Sequence, residues 1–183
     1  MLNQRALPFV NHMLDFKPIE QTGETCKVAA IASIDQYWAA RLCFPPLYVY
    51  KNTKGLYDTP RNQLTSIREI AKLTGSQQGE LLEVKQVAQI FSIIGYKGKL
   101  VLCDSLRNFK DTIKKNIVAS QPLICFFAVV RETGLPAAQF NDNEHACVIS
   151  GYEESTNLVR ISHWGRHFFC SPEALFSAMS MRV

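Results

Sequence analysis

The chain has 183 residues, 47% of them hydrophobic and 20% charged, with a net charge of +4. That length suits one domain, residues 1–183, with a sizeable core, and so mild a charge, without a dense basic stripe interleaved with aromatics, argues against a nucleic-acid partner. No apolar run reaches the roughly 18 residues of a membrane span, and Met1 to Lys17, interrupted by Arg5, Pro8, Asn11 and Asp15, lacks the apolar core of a secretory signal. The expected location is therefore cytoplasmic, or outside the cell by a route without a classical signal.

In chain order, residues 1–25 read as irregular, with Pro8 and Pro18 opposing a long helix. A turn-forming stretch, Gln21-Thr22-Gly23-Glu24-Thr25, then delivers Cys26 onto the first residue of a strong helical pattern running to Leu42. Ile31, Ile34, Trp38 and Leu42 fall on one face, and five alanines permit close packing. Residues 43–61 read as a long loop carrying Phe44, Tyr48, Tyr50 and Tyr57, equally suited to a cleft wall or to packing on the core. Helices are expected over Gln63–Leu73 and Glu80–Ile94, a short strand over Lys99–Cys103, and a third helix capped by Ser105 with the stripe Leu106, Phe109, Ile113, Ile117.

The pattern then changes. Leu123–Val130 is a continuous apolar run suited to a buried strand, and Glu144–Tyr152 and Leu158–Ser162 follow as strands joined by the turn-like 153–157. Ser171-Pro172-Glu173 is a well-formed helix start. A helical first half followed by antiparallel strands is an α+β arrangement.

The chemistry begins with Cys26. Free backbone N–H groups and the positive end of the helix dipole favour a thiolate at a helix start. An imidazole nearby would lower the thiol pKa further and supply the proton for a leaving group. Of four histidines, His145, at the start of a strand, is the best placed by pattern; His12 lies in the irregular N-terminus, and His163 and His167 flank a turn. Six cysteines without Cys-x-x-Cys pairs suit reduced thiols. His163-x3-His167 with Cys170 has a weak zinc-like spacing but no fourth ligand nearby in sequence. Neither a metal nor another cofactor is expected. The lysines at 99, 110, 114 and 115 and the acidic pairs Glu153-Glu154 and Asp142/Glu144 read as solvated surface.

These residues carry a resemblance to papain-like cysteine peptidases, including bacterial peptidases that cut after double-glycine leaders. The order is Gln, Cys-bearing helix, His-bearing strand, then a polar residue before Trp-Gly. His145-Ala146 through Gly151-Tyr152 resembles the family's histidine strand, Ser162-His163-Trp164-Gly165 its Asn-Ser-Trp-Gly sequence, and Gln121-Pro122 opening an apolar strand also has a counterpart. The resemblance covers the Cys26 helix and residues 121–165, and is weak over 43–120.

The resemblance implies a papain-like fold, its N-terminal helical part packing the cysteine helix on a C-terminal antiparallel sheet that carries the histidine. It implies Cys26 as nucleophile, His145 as general base and acid, Gln21 with the Cys26 backbone N–H as oxyanion hole, and Trp164 as a shield over the histidine's orienting bond. Two departures stand out. Gln21 lies five residues before Cys26, where papain has six; Glu20 is at six, but a carboxylate repels an oxyanion. Ser162 occupies the place of the family's Asn or Asp, which leaves a serine-supported triad, an orienter at Asp142 or Asn143, or a degraded site.

The expected activity is that of a cysteine-dependent peptidase or isopeptidase working through an acyl-enzyme on a protein or peptide. A glutamine deamidase or transglutaminase would share the chemistry, and a catalytically eroded papain-like binding module would share the fold. With only about 20 residues before Gln21, no large inhibitory pro-segment is expected. A narrow substrate or delivery into a host cell as a bacterial effector would fit that.

Overall fold

The computed structural model describes residues 11–21, 23, 25–43, 67–77, 79–81, 83–139 and 143–180. The central element is α1, Cys26–Leu42. Its expected bounds hold, but its expected stripe does not. Eleven of its residues, from Lys27 to Ala39, are buried, while Leu42, at the end of the expected stripe, is 54% exposed. The small residues at 29, 30, 32, 33 and 39 allow neighbours to approach on nearly every side.

Two apolar clusters explain this. Ala30, Ile34 and Tyr37 of α1 join the cluster formed with the sheet and with α4 (Leu106–Val118) and α5 (Pro172–Ser180). Val28, Ala29, Ile31 and Ala32 join a second one with α2 (Ile67–Leu73) and α3 (Val84–Ile93). At about 25 cal/mol per Å² of apolar surface, burial on both sides holds α1 far more firmly than burial along one stripe would. Asp35, fully buried within it, accepts from the Tyr96 hydroxyl at 2.7 Å.

The sheet has five antiparallel strands: β1 (Asn11–Met13), β2 (Leu123–Ala128), β3 (Glu144–Glu153), β4 (Leu158–His163) and β5 (Arg166–Cys170). β3 is its spine. One edge pairs with β2 over 144–149 and with β1 over 151–153; the other pairs with β4, which pairs in turn with β5. Between Ile149 and Gly151 the β3–β4 register slips by one residue, a bulge that governs the site described below.

Several expectations need correction. Residues 99–103 form no strand; Leu100, Val101 and Leu102 are 65%, 43% and 84% exposed and lie along no sheet edge, and without an edge to pair with, β-like sequence stays irregular. α3 begins at Val84 rather than Glu80, because the Gln86 side chain reaches back to the Glu83 N–H at 3.0 Å and closes the helix start there. β1 and β5 were not anticipated. α4 matches its expected start, with Ser105 Oγ accepting from Asn108 N at 3.2 Å, and α5 starts similarly, Ser171 Oγ accepting from Ala174 N. The tyrosine-bearing loop, the first residues of the helix expected from Gln63, and Asp142 lie outside the described residues. No described helix is long and apolar enough to cross a membrane.

Candidate active site

Cys26 is the first residue of α1, and the Thr25 side chain does not cap the helix. First-turn amides therefore remain available to another acceptor. The N–H groups of Ala146 and Lys27 both stabilise a negative sulfur at Cys26. Cys26 thus rests against β3 at the residue after His145. Lys27, only 7% exposed, ties the same two segments together through its ion pair with Glu144 at 2.5 Å, its ammonium lying over the Phe126 ring.

Desolvation decides the protonation states. Burial raises the Cys26 thiol above its ordinary value, outweighing the two amides and the Lys27 charge. Burial likewise pushes His145 down to about 3, with help from the neighbouring His163 and Lys27. Burial thus works against the thiolate expected at the helix start and favours a neutral thiol beside a neutral imidazole. Helix-end stabilisation contributes at most ~2 kcal/mol, which is less than burial of a bare charge removes.

His145 is enclosed by aromatic rings. Phe127 meets it edge-on at 5.9 Å between centroids, Trp164 tilts over it at 4.9 Å, and His163 lies at 4.7 Å. Trp164 stands where a shield was expected, and the chain accepts strain to keep it there. Trp164-Gly165 form the two-residue turn between β4 and β5 with φ of 50° and 68°. Asn, Asp or Gly would sit more easily at the first position, and a left-handed conformation at a bulky residue costs roughly 1 kcal/mol or more.

Gln21 lies in the strap leading into α1, which is pinned by a bond from Ile19 N to Ser33 Oγ at 2.9 Å. Its side-chain Nε2 donates to the Gly23 carbonyl at 2.9 Å. A carboxamide nitrogen carries two hydrogens, so this bond fixes the group and leaves a second donor.

Ser162 is placed differently from the expectation. Its hydroxyl is 2.6 Å from Ser150 Oγ and 2.8 Å from His167 Nδ1. Arg160 donates to the same Ser150 hydroxyl at 2.9 Å, making a polar cluster away from His145. The ring at hydrogen-bond distance from His145 is His163, with Nδ1 3.1 Å from His145 Nε2. Strand parity explains the exchange. Counted outward from the 153–158 end of the hairpin, Ser162 would oppose Ile149, on the His145 face. The bulge at Ser150 shifts it to oppose Val148, on the other face, and brings His163 round in its stead. Asn143, the other described alternative, offers its carbonyl to Val129 N at 3.0 Å. His163 and His167 engage different partners, and no described group of three or more His, Cys, Asp or Glu could hold a metal ion.

Comparison with known proteins bears on this geometry. The sequence matches the Peptidase_C39 like family over residues 13–163. The fold is similar to the crystal structure of xylellain, a cysteine protease from Xylella fastidiosa, with a TM-score of 0.50 at 15% identity, covering 92% of this chain and 81% of that one. No curated protein matches significantly.

Proposed function

The chain belongs to the Peptidase_C39 like family of cysteine peptidases, and from that premise we propose that it is a peptidase or isopeptidase in which Cys26 attacks and His145 moves the proton. The observation that supports this is the seating of Cys26, at the start of a buried helix, against the strand residue next to His145. As a cysteine hydrolase with an α+β papain-like fold, it acts on protein or peptide.

In the proposed reaction the Cys26 S–H proton passes to the unprotonated ring nitrogen of His145 as sulfur bonds to the substrate carbonyl carbon. Because both groups rest neutral, transfer accompanies attack rather than preceding it. The oxyanion is met by the Cys26 backbone N–H and the second Gln21 amide hydrogen. His145 then returns the proton to the leaving amine, and water, deprotonated by the same ring, releases the acid and restores the thiol. Trp164 keeps bulk water from the imidazole, where it would compete for the orienting bond.

The test is terminal-amine labelling of eukaryotic and bacterial cell extracts treated with wild type or Cys26→Ala. New protein termini are expected with wild type alone. Their appearance in the eukaryotic extract only would support delivery into a host cell, which we propose with the peptidase reading. Ammonia release without new termini would instead identify a deamidase or transglutaminase, and the peptidase reading would fall.

A further inference from the structure

We propose that His163 is the positioning residue of this site, orienting His145 through an imidazole-to-imidazole hydrogen bond whose direction is set by the Gly134 backbone carbonyl. The proposal rests on the reading of Cys26 and His145 given above and adds the residue that makes His145 usable.

The positions of the hydrogens set the direction of this bond. His163 Nε2 lies 3.0 Å from the Gly134 carbonyl oxygen. A carbonyl only accepts, so that nitrogen carries the hydrogen. A neutral imidazole has one N–H, so His163 Nδ1 is bare and accepts. The hydrogen in the 3.1 Å contact therefore belongs to His145 Nε2. His145 Nδ1 keeps its lone pair, and in the reaction proposed above it is the ring nitrogen that takes the Cys26 proton. One backbone carbonyl thus selects the tautomer of the base two rings away.

The chain is built to hold this arrangement. Phe168 stacks on His163 at 4.5 Å and 23°, Trp164 closes it from a second side at 4.7 Å, and Phe127 meets it edge-on at 6.0 Å. Gly134 is required for two reasons. Its φ is +73°, and a Cβ there would lie 2.6 Å from Phe168 Cε1, so a side chain would push away the ring that clamps His163. His163 is 5% exposed, and both its ring nitrogens have partners.

An imidazole in this role differs from a carboxylate in charge. It fixes the tautomer without adding a negative charge to favour imidazolium, so it keeps the thiol and base neutral at rest. The charged groups acting on the pair are Lys27 from α1, which acts on both Cys26 and His145, and its ion-pair partner Glu144 from β3, which acts on Cys26. His163 itself faces His145, Trp164, Phe127, Phe168 and the Gly134 carbonyl.

Two experiments on the full chain test this. Nitrogen-15 NMR of the imidazoles at pH 7 is expected to show His145 and His163 both protonated at Nε2 and bare at Nδ1. A proton on Nδ1 of either ring overturns the proposal. Alkylation of Cys26 by iodoacetamide is then followed against pH. Wild type is expected to show a single rise on the alkaline side. His163→Asn, whose Oδ1 replaces Nδ1, is expected to keep that profile and the His145 Nε2–H signal. His163→Phe keeps the stack but removes the acceptor, and is expected to give a mixture of His145 tautomers. His163→Asp adds the missing charge and is expected to raise the rate at pH 6 by about tenfold or more through an imidazolium–thiolate pair. An unshifted Asp profile, or a single unchanged His145 tautomer in the Phe variant, would contradict the proposal. Should Cys26 be unable to form an acyl-enzyme while the tautomers are as described, the positioning role stands and the peptidase mechanism fails.

Discussion

His145→Ala is expected to slow the acylation of Cys26 by an activated ester about 10²–10⁴-fold at pH 7, read as the burst of nitrophenolate in stopped flow. The thiol is held above its ordinary pKa by burial, so it cannot supply much thiolate unaided and depends on a base within the site. Nothing else described can take that role: Glu144 is paired with Lys27, and His163 has its hydrogen on a carbonyl and its lone pair on His145. The variant also loses a buried ring and leaves His163 Nδ1 unsatisfied, a destabilisation of about 1–3 kcal/mol. Thermal melting would separate that loss from the chemical one. A burst of unchanged rate would mean that His145 is not the base.

Acid is expected to destabilise the fold well before its carboxylates titrate. His145 and His163 have an ordinary value of 6.5 and are lowered by burial to about 3 and about 4. The sign follows from proton counts. Between those values the unfolded chain binds protons that the folded chain excludes, so stability is complete above pH 6.5 and falls as pH drops towards 4. At ~1.4 kcal/mol per pKa unit, one such ring alone removes on the order of 3 kcal/mol by pH 4. Denaturant unfolding at pH 7, 5.5 and 4 checks this. His163→Asn should flatten the curve, because it removes one of the two excluded protons. Equal stability at pH 7 and 4 would show that the rings are not buried neutral.

How much of this was legible in the sequence depended on whether a feature was local. α1, with its thiol at the first helical position, and α4, with its serine cap, are written in consecutive residues; α1 was read with its bounds and α4 with its start. β2, β3 and β4 were visible as apolar runs, because burial on both sides leaves little polar alternation. What failed needed long-range information. Residues 99–103 look like a strand until one asks which edge they join. β5 begins Arg166-His167 after a Trp-Gly turn and buries only its last residue, so its polar start concealed it. Short β1 owes its existence to the end of β3 that β2 leaves unpaired.

The site shows the same division. Cys26, His145, Gln21 and Trp164 were singled out from short continuous stretches that resemble the family's motifs. That the ring beside His145 is His163 and not the Ser162 hydroxyl could not be read there, because it turns on a one-residue bulge at Ser150 that no local pattern announces. The polar cluster of Ser150, Arg160, Ser162 and His167 stabilises that bulge, so the serine that looked catalytic takes part in the distortion that displaces it. The burial that works against a thiolate was hidden for a related reason: the helix start was legible, whereas the burial around it depends on the whole fold.

Everything proposed for this site requires that Cys26 carry the acyl group. The most direct measurement is intact mass after acid quench within the burst, using the activated ester, followed by peptide mapping. One acyl group per chain is expected, on Cys26, absent from Cys26→Ala and strongly reduced in His145→Ala. Acylation spread over the six thiols at solution rates, or unchanged in Cys26→Ala, would contradict it.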